Sequence, residues 1–412
     1  MKIIIFGGSG AIGRACAWDL AKCPEVEKIG LVGRRREALT RIQNWVGSPK
    51  IEVHVADVLD RREAQKLMRA YDVGIISVPD RKTSYRVMHS AAEIGFSVVD
   101  NLEEYHRRPD AYETEGLEVP AGMSLNDYGD WIDAKAKETG ATILDGMGFA
   151  PGLSNITVGE GIRKLDRAEK AVARVGGIPS KEAAQRHPLR YMITWAFEHV
   201  LREYMVKLNI IKNGKVTEVP ALIDRERFRF NRFGQDEELE CAVTPGMPSF
   251  IFTRPGLQEF AEKTIRWPGH WEGVDALKEI GFLDLEPVEF QGTKIVPRQF
   301  LLHLIRPKLL PREGETDVCV MWNTVTGLKN GRPTRIDYYM WDVADRQYGL
   351  SSMARVTGFP QAIGAFFLGK GWIKEKGIVA PEDAIYGEVY SQFMAELEKR
   401  NIRILEEMTE VK

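Results

Sequence analysis

Three glycines near the start of the chain have the spacing of a loop that holds a phosphate. The segment Gly8-Ser9-Gly10-Ala11-Ile12-Gly13 follows a short apolar run, Lys2–Phe6, and opens a stretch of helical periodicity, Ala11–Lys22. In such a strand-loop-helix unit the first glycine allows a tight turn, the second lets the backbone approach a pyrophosphate, and the third lets helix and strand pack closely. The helix start also supplies oriented N–H donors. The segment therefore predicts a dinucleotide-binding loop.

The end of the second strand indicates which dinucleotide binds. About twenty residues beyond the third glycine, an NAD site places Asp or Glu against the ribose 2′-hydroxyl. Here that position is Gly33, followed by Arg34-Arg35-Arg36. A small residue followed by arginine leaves space and positive charge for a 2′-phosphate, because a guanidinium can bind two of its oxygens. We predict NADP, contacted by Gly33, Arg34 and Arg35, with NAD as the alternative cofactor; the arginines could also be a solvated helix start.

Two further segments follow strands at the edge of the sheet where this fold binds nucleotides. Asp57 and Val58 come after the third strand, and Asp57 is a candidate acceptor for the adenine amine, with a helix N-cap as the alternative role. Ser77-Val78-Pro79 lies at the end of the fourth strand. Nicotinamide chemistry takes place at that edge in open α/β sheets.

The elements that position these residues follow from alternating hydrophobic periods. Short apolar runs typical of buried strands alternate with stretches of helical spacing, which predicts parallel pairing. We predict strands at Lys2–Phe6, Ile29–Val32, Ile51–Val55, Val73–Val78, Ser97–Val99 and Thr142–Leu144, and helices at Ala11–Lys22, Arg36–Val46, Arg61–Tyr71, Thr83–Ile94 and Tyr128–Thr139. The fold class is α/β, with a Rossmann-type doubly wound parallel sheet.

The pattern changes after the fifth strand. The segment Asn101–Asn126 predicts a lid or a solvated surface excursion. Beyond Pro151, antiparallel strands with an Asn213-Gly214 turn indicate a second, α+β domain. Near the end we predict a helix over Thr357–Leu368 with Pro360 in its first turn, and an amphipathic helix over Glu382–Met408. The expected division is residues 1–150 plus about 350–412 for the dinucleotide domain and 151–349 for a substrate and oligomerisation domain inserted before a returning C-terminal helix.

Composition excludes several classes of protein. The chain has 412 residues, too many for a peptide-sized module, and a net charge of −2, which argues against a nucleic-acid surface. The four cysteines show no metal-binding spacing, so we expect no metal site and a reducing compartment. The first strand starts at Lys2, and no run of about 18 apolar residues occurs. We expect a cytoplasmic protein without a membrane partner.

Several strings beyond the glycine loop resemble the saccharopine dehydrogenase/reductase family, closest to its lysine 6-dehydrogenase-like branch. The resemblance covers most of the chain and implies a Rossmann domain, an α+β substrate domain and NAD(P)-linked chemistry on the C–N bond of an amino acid. The strings are Gly148–Asn155, Gly176–Pro179, Pro188–Trp195, Lys212–Lys215, Thr264–His270 and Ser352–Gly358.

Three positions depart from the family pattern. Saccharopine reductases carry Asp at the position of Ala150 and Cys at the position of Val175, which favours the lysine 6-dehydrogenase-like branch. Members of that branch often carry Asp where this chain has Gly33. By the same resemblance, the segment Tyr105–Met123 looks like an insertion relative to shorter relatives.

The implied reaction assigns tasks to residue types. A substrate carboxylate needs a fixed fork, for which Arg266 is the first candidate and Arg190 the second, with an ion pair to an acidic neighbour as the alternative role. The substrate ammonium must lose a proton before hydride leaves, and His270 is the best candidate base among seven histidines. A structural hydrogen-bonding role is the alternative for His270. His187 and His106 are weaker candidates, and His54 is expected in the core.

Other side chains and backbone segments complete the predicted site. Thr194, Trp195 and Tyr204 are expected to line the pocket, with core packing as the alternative for the aromatic residues. Asp100, at the tip of the fifth strand, is a candidate to bind the substrate ammonium or to cap a loop. Gly148–Gly152 predicts a tight crossover, and Thr357-Gly358 a helix start facing the carboxamide.

The sequence leaves three functions open. The first is an NADP-preferring oxidoreductase that acts on the C–N bond of a lysine-like amino acid or an opine-type conjugate. The second is a polyamine-type reductase that condenses an aldehyde with an amine and reduces the imine, like carboxynorspermidine dehydrogenase. The third is a non-catalytic dinucleotide sensor. We also expect a homodimer or higher homo-oligomer, with strands Val318–Val325 and Arg335–Trp341 extending across a two-fold axis.

Overall fold

The chain folds into two units that each contain a large β-sheet. A computed structural model describes residues 1–109 and 117–411. The strands are β1 Lys2–Phe6, β2 Lys28–Gly33, β3 Ile51–Val55, β4 Val73–Ile76, β5 Val98–Asp100, β6 Thr142–Leu144, β7 Arg167–Pro179, β8 Lys207–Lys212, β9 Lys215–Pro220, β10 Glu226–Phe230, β11 Glu237–Val243, β12 Glu259–Arg266, β13 Val288–Phe290, β14 Thr293–Ile295, β15 Asp317–Lys329, β16 Arg332–Val343, β17 Gly377–Val379 and β18 Leu405–Glu410.

The helices lie between these strands, and a short 3₁₀ helix covers Pro188–Arg190. They are α1 Ala11–Ala21, α2 Arg36–Val46, α3 Arg61–Met68, α4 Arg81–Ile94, α5 Leu125–Thr139, α6 Leu153–Arg163, α7 Lys181–Ala184, α8 Phe197–Glu203, α9 Phe250–Thr253, α10 His270–Glu279, α11 Pro297–Leu309, α12 Ser352–Gly369, α13 Pro381–Ala384 and α14 Gly387–Lys399. No helix within the described ranges is long and apolar enough to cross a membrane.

Each unit is assembled from separate stretches of the chain. The first contains Met1–Arg167, Met247–Pro255 and Ala354–Arg403, and the second contains Ala168–Gly246, Gly256–Met353 and Ile404–Lys412. Compared with the expected division, α6 lies in the first unit and the C-terminal strand lies in the second. The excursion predicted over Asn101–Asn126 is described except for residues 110–116, which lie outside the described residues.

The first unit contains the predicted parallel sheet, which confirms the fold class. Its seven strands have the order β17-β6-β5-β4-β1-β2-β3, and all neighbours are parallel. The strands β1, β4, β5 and β6 are buried along nearly their whole length, as their continuous apolar runs predict. Chain order reverses between β1 and β4. A dinucleotide binds outside the carboxyl ends of the strands at such a switch point.

The helix predicted over Thr357–Leu368 is longer than expected. The observed α12 begins at Ser352, so Pro360 lies in its interior and not in its first turn, which corrects the prediction. Ala354, Val356 and Phe359 are all buried. We attribute the longer helix to this apolar face, whose burial outweighs the one backbone hydrogen bond that Pro360 cannot donate.

The tail predicted as a helix over Glu382–Met408 contains two helices and a strand. In α14, Tyr390, Phe393 and Leu397 are buried at helical spacing, but the helix ends at Lys399. The segment Leu405–Glu410 forms β18, which pairs antiparallel with β16 over Thr334–Tyr339. The prediction of one helix was wrong because the partner strand is distant in sequence. This pairing also occupies the part of the β16 edge that was expected to extend across a two-fold axis.

The second unit contains a mixed nine-stranded sheet with the main path β10-β11-β12-β7-β15-β16-β18. The strand β8 pairs with β12 and with β9, and Asn213-Gly214 forms the predicted turn between β8 and β9. One buried cluster contains Tyr204, Ala242 and Trp271, and another contains Cys241 and Trp267. Because side chains alternate along a strand, Cys241 and Ala242 place these clusters on opposite faces of the sheet.

Candidate active site

The glycine loop has the geometry of a phosphate cradle, with the tight turn one residue earlier than predicted. Gly7 has φ +87°, and a Cβ on it would lie 2.2 Å from the carbonyl oxygen of Ser77. A Cβ on Gly13 would lie 2.5 Å from the carbonyl oxygen of Gly7. Gly8 instead packs on Leu31. The sequence argument missed Gly7, although the Gly7-Gly8 doublet was a visible signal for a left-handed turn residue.

Gly10 is the glycine at which the loop stays open. A Cβ on it would meet only the carbonyl oxygen of Gly7, at 3.3 Å. Gly10 is also the N-cap of α1, which has no side-chain cap and no acidic residue in its first turn. The N–H groups at the start of α1 therefore stay available for an anion, and the partial positive charge of the helix end favours a phosphate there. The loop fits the pyrophosphate of a dinucleotide.

The open geometry at Gly10 yields a first testable expectation. Gly10→Ala should raise the NADP dissociation constant at least about tenfold, because the methyl group takes the space of a phosphate oxygen. The melting temperature should change by less than about 4 °C, since only one protein atom is approached. Isothermal titration calorimetry and thermal unfolding measure the two effects. Ser9→Ala, in the same loop, is the matched control, and unchanged NADP binding by Gly10→Ala would remove the loop from the cofactor site.

The arginine run after β2 is exposed, as an incoming phosphate requires. Arg34, Arg35 and Arg36 are exposed, and none forms an ion pair with another described residue. Gly33 is half-buried, and a Cβ there would lie 3.3 Å from a methyl group of Leu39. Arg35 is the N-cap of α2. The arrangement leaves two guanidinium groups free at the predicted 2′-phosphate position, while Arg36 begins the helix.

The loop after β3 is held by its own hydrogen bonds. Asp57 is exposed, and its carboxylate accepts from the backbone N–H of Leu59 at 3.1 Å. Asp60, not Asp57, caps α3 by accepting from the backbone of Arg62 and Glu63. The half-buried Val58 packs against the apolar core of the unit. The alternative N-cap role of Asp57 is therefore excluded, and its predicted role at the adenine stays a prediction.

The end of β4 is tied to a residue that the sequence argument did not select. The buried amide of Gln361, in α12, donates to the carbonyl oxygen of Ile76 at 2.7 Å and accepts from the hydroxyl of Ser77 at 2.7 Å. Val78 is half-buried and Pro79 is exposed. Gln361 thereby fixes the backbone at the predicted nicotinamide edge. The signal in the sequence that could have identified Gln361 is its position as a polar residue within a strongly apolar helix.

A buried chain of hydrogen bonds connects the ends of β5 and β6. We name the residues that form it the β5–β6 cluster, which consists of Ser84, Asp100, His106 and Asp145. His106 Nδ1 lies 2.6 Å from Asp145 Oδ1, and the backbone N–H of His106 donates to Asp145 Oδ2 at 2.8 Å. His106 Nε2 lies 3.1 Å from Ser84 Oγ, which donates to Asp100 Oδ2 at 2.8 Å. All four residues are buried.

The charges of the β5–β6 cluster follow from its surroundings. Burial alone would lower the pKa of His106, but Asp145, Asp100 and Glu104 outweigh it and raise that pKa to about 9. Burial raises the pKa of Asp100 to about 6, against the opposing effect of His106. Because the Ser84 hydroxyl donates to Asp100, its oxygen accepts from His106 Nε2–H. His106 is therefore a cation at neutral pH, with both ring nitrogens donating.

This cluster has the spacing of a metal site but the bonding of an ion-pair network. Ligand atoms of Asp100, His106 and Asp145 all lie within 4.8 Å of one another. The second oxygen of Asp100 accepts from the backbone N–H of Leu102 at 2.7 Å, so the ligand atoms are already engaged. The adjacent Arg81–Glu104 ion pair, at 2.7 Å, is also buried. The cluster joins α4, the excursion after β5 and the end of β6.

The crossover after β6 packs against the end of β5. The backbone N–H of Met147 donates to the carbonyl oxygen of Asp100 at 2.6 Å. Gly152 has φ +126°, and a Cβ on it would lie 2.2 Å from the backbone of Gly148. A Cβ on Gly148 would lie 3.0 Å from a methyl group of Thr357 and 3.5 Å from Cβ of Asn101. Glycine is therefore needed in the predicted crossover. Thr357 lies within α12 and not at its start, which corrects the prediction for Thr357-Gly358.

In the second unit, Arg266 is buried without a carboxylate partner. Its Nε and Nη2 donate to the Tyr204 hydroxyl at 3.1 and 3.0 Å, and its Nη1 donates to the carbonyl oxygen of Ile265 at 3.0 Å. The guanidinium lies 5.2 Å from the ring centre of Tyr191 and 5.9 Å from that of Trp271. No carboxylate of the described residues lies within ion-pair distance of Arg266. A buried guanidinium without an ion-pair partner can bind an anionic ligand.

The nearest acidic residue on the same face of β12, Glu262, does not supply that anion. Glu262 is buried, and burial raises its pKa well above the ordinary value. Its carboxyl group accepts from the Thr244 hydroxyl at 2.8 Å. The favoured form of Glu262 is therefore the neutral acid. Burial alone would lower the pKa of Arg266, but Tyr204, Tyr191 and the more distant charge of Glu203 together raise it above its usual range.

His270 and Tyr204 form one hydrogen-bonded pair beside Arg266. His270 Nδ1 lies 2.9 Å from the carbonyl oxygen of Leu189, and its Nε2 lies 3.0 Å from the Tyr204 hydroxyl. A carbonyl only accepts, so Nδ1 carries the hydrogen and Nε2 accepts from the hydroxyl. Burial and the nearby Arg266 lower the pKa of His270 to about 3. The imidazole is therefore neutral and directs the Tyr204 lone pairs toward Arg266.

Thr194 and Tyr191 place further polar atoms in the second unit. Their hydroxyl oxygens are buried, and neither meets hydrogen-bond geometry with a described residue. A Cβ on Gly177 would lie 3.3 Å from Thr194 Oγ1 and would overlap the Met353 side chain at 2.2 Å. Burial raises the pKa of Tyr191 to about 12. The Thr194 hydroxyl lies close enough to that of Tyr191 to oppose this rise, so the two hydroxyls form a neighbouring pair of buried polar groups.

The other predicted residues lie elsewhere. Arg190 is exposed and lines a surface pocket of about 450 Å³ together with Trp267, which belongs to the cluster on the other sheet face from Tyr204. His187 bonds to Glu315 at 2.6 Å and to the carbonyl oxygen of Lys308 at 2.8 Å. The structure therefore does not bring Arg190 or His187 to Arg266.

Two other predicted residues also lie away from Arg266. His54 is only half-buried, and its ring forms a hydrogen bond with the Tyr71 hydroxyl. Trp195 is partly buried and packs against the apolar core of the second unit.

The fold and this set of residues define a dinucleotide-dependent oxidoreductase. Residues 3–144 match the saccharopine dehydrogenase NADP binding domain, and residues 148–402 match the saccharopine dehydrogenase C-terminal domain. The chain therefore belongs to the saccharopine dehydrogenase family, which confirms the resemblance in its sequence. It is a saccharopine dehydrogenase-like, NADP-binding enzyme, as predicted.

Two curated relatives and one solved structure show how far the likeness extends. The chain is 22% identical over 401 residues to carboxyaminopropylagmatine dehydrogenase of Synechocystis sp., with 93% of each chain covered. It is 22% identical to the NADP⁺-linked, L-glutamate-forming saccharopine dehydrogenase of Pyricularia oryzae, with 65% of this chain and 74% of that one covered. The apo L-Glu-forming saccharopine dehydrogenase of Saccharomyces cerevisiae has the same fold, with a TM-score of 0.78, 19% identity and 99% of each chain covered.

Proposed function

We propose that this enzyme transfers a hydride between NADP and the C–N carbon of a substrate that carries a carboxylate, such as a lysine-like amino acid or an opine-type conjugate. The observation that carries this proposal is the buried Arg266 guanidinium, which makes hydrogen bonds only to neutral oxygen atoms. A buried cation of this kind is stabilised by an anionic ligand, and a guanidinium binds a carboxylate through two parallel hydrogen bonds.

Each of these residues has a separate role in the proposed reaction. Arg266 clamps the carboxylate, and Tyr204 and His270 hold the guanidinium in position. We infer that His270 orients Tyr204 instead of acting as the base, because its lone pair is engaged and its pKa is low. Thr194 offers a hydroxyl to the substrate nitrogen or its carboxylate. Gly10 and the start of α1 would hold the pyrophosphate of the cofactor, whose nicotinamide would supply the hydride chemistry, as acceptor in NADP⁺ and as donor in NADPH.

A second function is supported by the extent of one relative. Carboxyaminopropylagmatine dehydrogenase matches 93% of this chain, more than the fungal saccharopine dehydrogenase does. Ala150 and Val175 also differ from the residues of saccharopine reductases. We therefore keep a polyamine-type imine reductase, which joins an aldehyde and an amine and reduces the imine, as the second candidate. Both functions form or break the same kind of C–N bond.

One assay distinguishes these functions from a silent dinucleotide sensor. Absorbance at 340 nm reports NADP reduction with lysine, saccharopine, ornithine and diaminopimelate, and NADPH oxidation with aldehyde and amine pairs in reverse. Turnover of an amino acid or opine supports the first function, and turnover of an aldehyde with a polyamine supports the second. NADP binding without turnover in either direction would contradict both.

The free arginines after β2 give an expectation about cofactor choice. Arg34→Asp should raise the KM for NADP by about 10- to 100-fold, because it removes a guanidinium from the 2′-phosphate and adds a like charge. The KM for NAD should change less than about threefold, since NAD has no 2′-phosphate. Steady-state kinetics with both cofactors measure the ratio. Arg36→Ala is the control, and equal effects of Arg34→Asp on both cofactors would contradict the assignment.

We also infer that the enzyme works in the cytoplasm as a homodimer or higher homo-oligomer. All four cysteines are free, which suits a reducing compartment. Its partner is a small-molecule substrate, and the near-neutral net charge gives no support for a nucleic-acid partner. Size-exclusion chromatography with light scattering tests the oligomeric state, and a strictly monomeric protein at micromolar concentration would contradict it.

A further inference from the structure

One buried amide connects the helix α12 to the end of β4. Gln361 is 0% exposed and lies between buried apolar side chains of α12, among them Phe359 and Ile363. Its Nε2 donates to the carbonyl oxygen of Ile76 at 2.7 Å, and its Oε1 accepts from the Ser77 hydroxyl at 2.7 Å. A buried amide costs free energy unless its hydrogen bonds are made, and here both polar atoms bond to the end of β4.

The orientation of this amide follows from its contact with the Ile76 carbonyl. A carbonyl oxygen only accepts hydrogen bonds, so the NH2 group of Gln361 faces Ile76 and its oxygen faces Ser77. The reversed orientation would bring two carbonyl oxygens within 2.7 Å of each other. The Ser77 hydroxyl therefore donates its proton to Gln361, and its oxygen keeps a lone pair for a hydrogen bond from another group.

A thiol of α1 lies beside the same amide. Cys16 Sγ is 3.5 Å from Gln361 Oε1 and 3.2 Å from the carbonyl oxygen of Gly358. Burial raises the pKa of Cys16, with a smaller opposing effect of the Ser77 hydroxyl, so the side chain stays a protonated thiol. Because two other oxygens accept from this weak donor, the thiol does not need the lone pairs of Ser77.

The order of the strands indicates which half of the cofactor Ser77 would face. In the first unit, β1 has β2 on one side and β4 on the other. The pyrophosphate would lie at the start of α1, and the adenosine half toward the predicted 2′-phosphate position at the end of β2. The nicotinamide half would then lie on the side of β4, which Ser77 follows directly. Ser77 is half-buried, so part of its surface is open to a bound group.

The backbone of Ser77 is fixed independently of Gln361. Its N–H donates to the carbonyl oxygen of Phe6 at 2.8 Å. Its own carbonyl oxygen packs against Gly7, where a Cβ would approach it to 2.2 Å. The main chain at Ser77 is therefore held by β1 and by the glycine loop. The direction of the hydroxyl proton is the remaining freedom of this residue, and the amide oxygen of Gln361 determines it.

We propose that Ser77 accepts a hydrogen bond from the nicotinamide half of NADP, and that Gln361 is the positioning residue that keeps the hydroxyl in this accepting state. Two groups on that half of the cofactor are donors, the amino group of the carboxamide and the hydroxyls of the ribose. A hydroxyl that donates to one group accepts more strongly from another, because hydrogen bonds in a chain polarise one another. The proposal concerns cofactor binding and does not depend on which candidate reaction the enzyme catalyses.

The accepting role of Ser77 is tested with two cofactors by isothermal titration calorimetry. Ser77→Ala should raise the dissociation constant of NADP about five- to tenfold, because it removes the acceptor. The acetylpyridine analogue of NADP has a methyl ketone in place of the carboxamide, so it lacks the N–H donor but keeps the ribose hydroxyls. Equal binding of this analogue by wild type and Ser77→Ala would identify the carboxamide as the donor. The same loss with both cofactors would identify a ribose hydroxyl, and unchanged NADP binding by Ser77→Ala would overturn the proposal.

The positioning role of Gln361 is tested by a double-mutant cycle. Gln361→Met keeps the length of the side chain and removes both hydrogen bonds, so it should raise the dissociation constant of NADP at least about fivefold. Added to Ser77→Ala, the same substitution should change that constant less than about twofold, because the group it positions is absent. Gln361→Glu keeps an oxygen that accepts from Ser77 in either protonation state and should bind NADP within about twofold of wild type.

Gln43→Met is the matched control for the loss of a buried amide. Gln43, in α2, also donates from its side chain to a strand carbonyl, that of Ile51, at 2.9 Å. Ile51 begins β3, so this contact lies at the amino ends of the strands, away from the predicted cofactor site. Gln43→Met should lower the melting temperature without weakening NADP binding. The same result for Gln361→Met would make Gln361 purely structural, and independent effects in the double variant, or a loss in Gln361→Glu as large as in Gln361→Met, would equally overturn its positioning role.

Discussion

His106→Asn is expected to destabilise the protein by about 3–5 kcal/mol at pH 6, because it removes the cation from between Asp145 and Asp100. Both carboxylates are buried and would stay in place without a charged donor. Asparagine keeps a short polar side chain at this position, so the loss of stability reflects the missing charge more than a new cavity. Chemical denaturation followed by tryptophan fluorescence and circular dichroism measures the effect. His303→Asn, at an exposed histidine, is the matched control.

The same substitution should change how stability depends on pH. The pKa of His106 is about 9 in the folded protein and about 6.5 in an unfolded chain. Its contribution to stability is therefore fully present below about pH 6.5 and is lost as the pH rises toward 9. The stability difference between wild type and His106→Asn should shrink over this interval. A difference that stays constant or grows from pH 6.5 to 9 would show that His106 is not held as a cation.

The raised pKa of Asp100 also makes stability fall as the pH rises, but over a lower pH range. It is about 6 in the folded protein, above the value of about 3.9 in an unfolded chain. The folded state therefore holds its proton more tightly, and stability falls as the pH rises from about 4 to 6. Asp100→Asn should flatten that part of the profile. It keeps a side chain of the same shape beside Ser84 and Leu102.

Arg266→Lys is expected to lower kcat/KM by at least about 100-fold, mainly through a higher KM for the amino-acid substrate. Lysine keeps the charge but loses the planar fork that binds a carboxylate through two hydrogen bonds. NADP binding should stay within about twofold of wild type, since the glycine loop and the arginine run lie in the other unit. Steady-state kinetics and calorimetry separate the two effects.

Two controls distinguish binding from structure. Arg190→Lys, at the exposed arginine on the other face of the sheet, should change KM less than about twofold. Tyr204→Phe removes the acceptor of two Arg266 hydrogen bonds and should lower kcat/KM less than Arg266→Lys does. A lower melting temperature with unchanged KM in Arg266→Lys would make Arg266 a structural residue, and the carboxylate clamp would have to be sought elsewhere.

The nucleotide-binding half of the molecule was predictable because its signals are local. The alternation of short apolar runs and helical stretches gave β1, α2, β3 and β6 with their observed bounds. The glycine spacing located the loop because close backbone approach requires glycine whatever the rest of the chain does. The prediction placed the tight turn at Gly8 instead of Gly7, since only the close contact with Ser77 shows which glycine forms the turn.

The buried polar groups were harder to predict because their partners are distant in sequence. His106 and Asp145 are 39 residues apart, and Ser77 and Gln361 are 284 apart. A single histidine or glutamine in the sequence carries no sign of such a partner. Arg266 and His270 were selected through their shared string, but the hydroxyl of Tyr204, which connects them, lies 62 and 66 residues from them.

The sequence by itself determined the class of fold, the glycine loop, the position of the arginine run and the family, because each depends on residue type and short spacing. The tertiary structure alone decided which ionisable groups are charged. Burial and facing charges make His106 a cation and His270 neutral, although both are histidines with the same intrinsic pKa. It also decided that the last segment is a strand, because β18 gains its hydrogen bonds from β16, which lies far earlier in the chain.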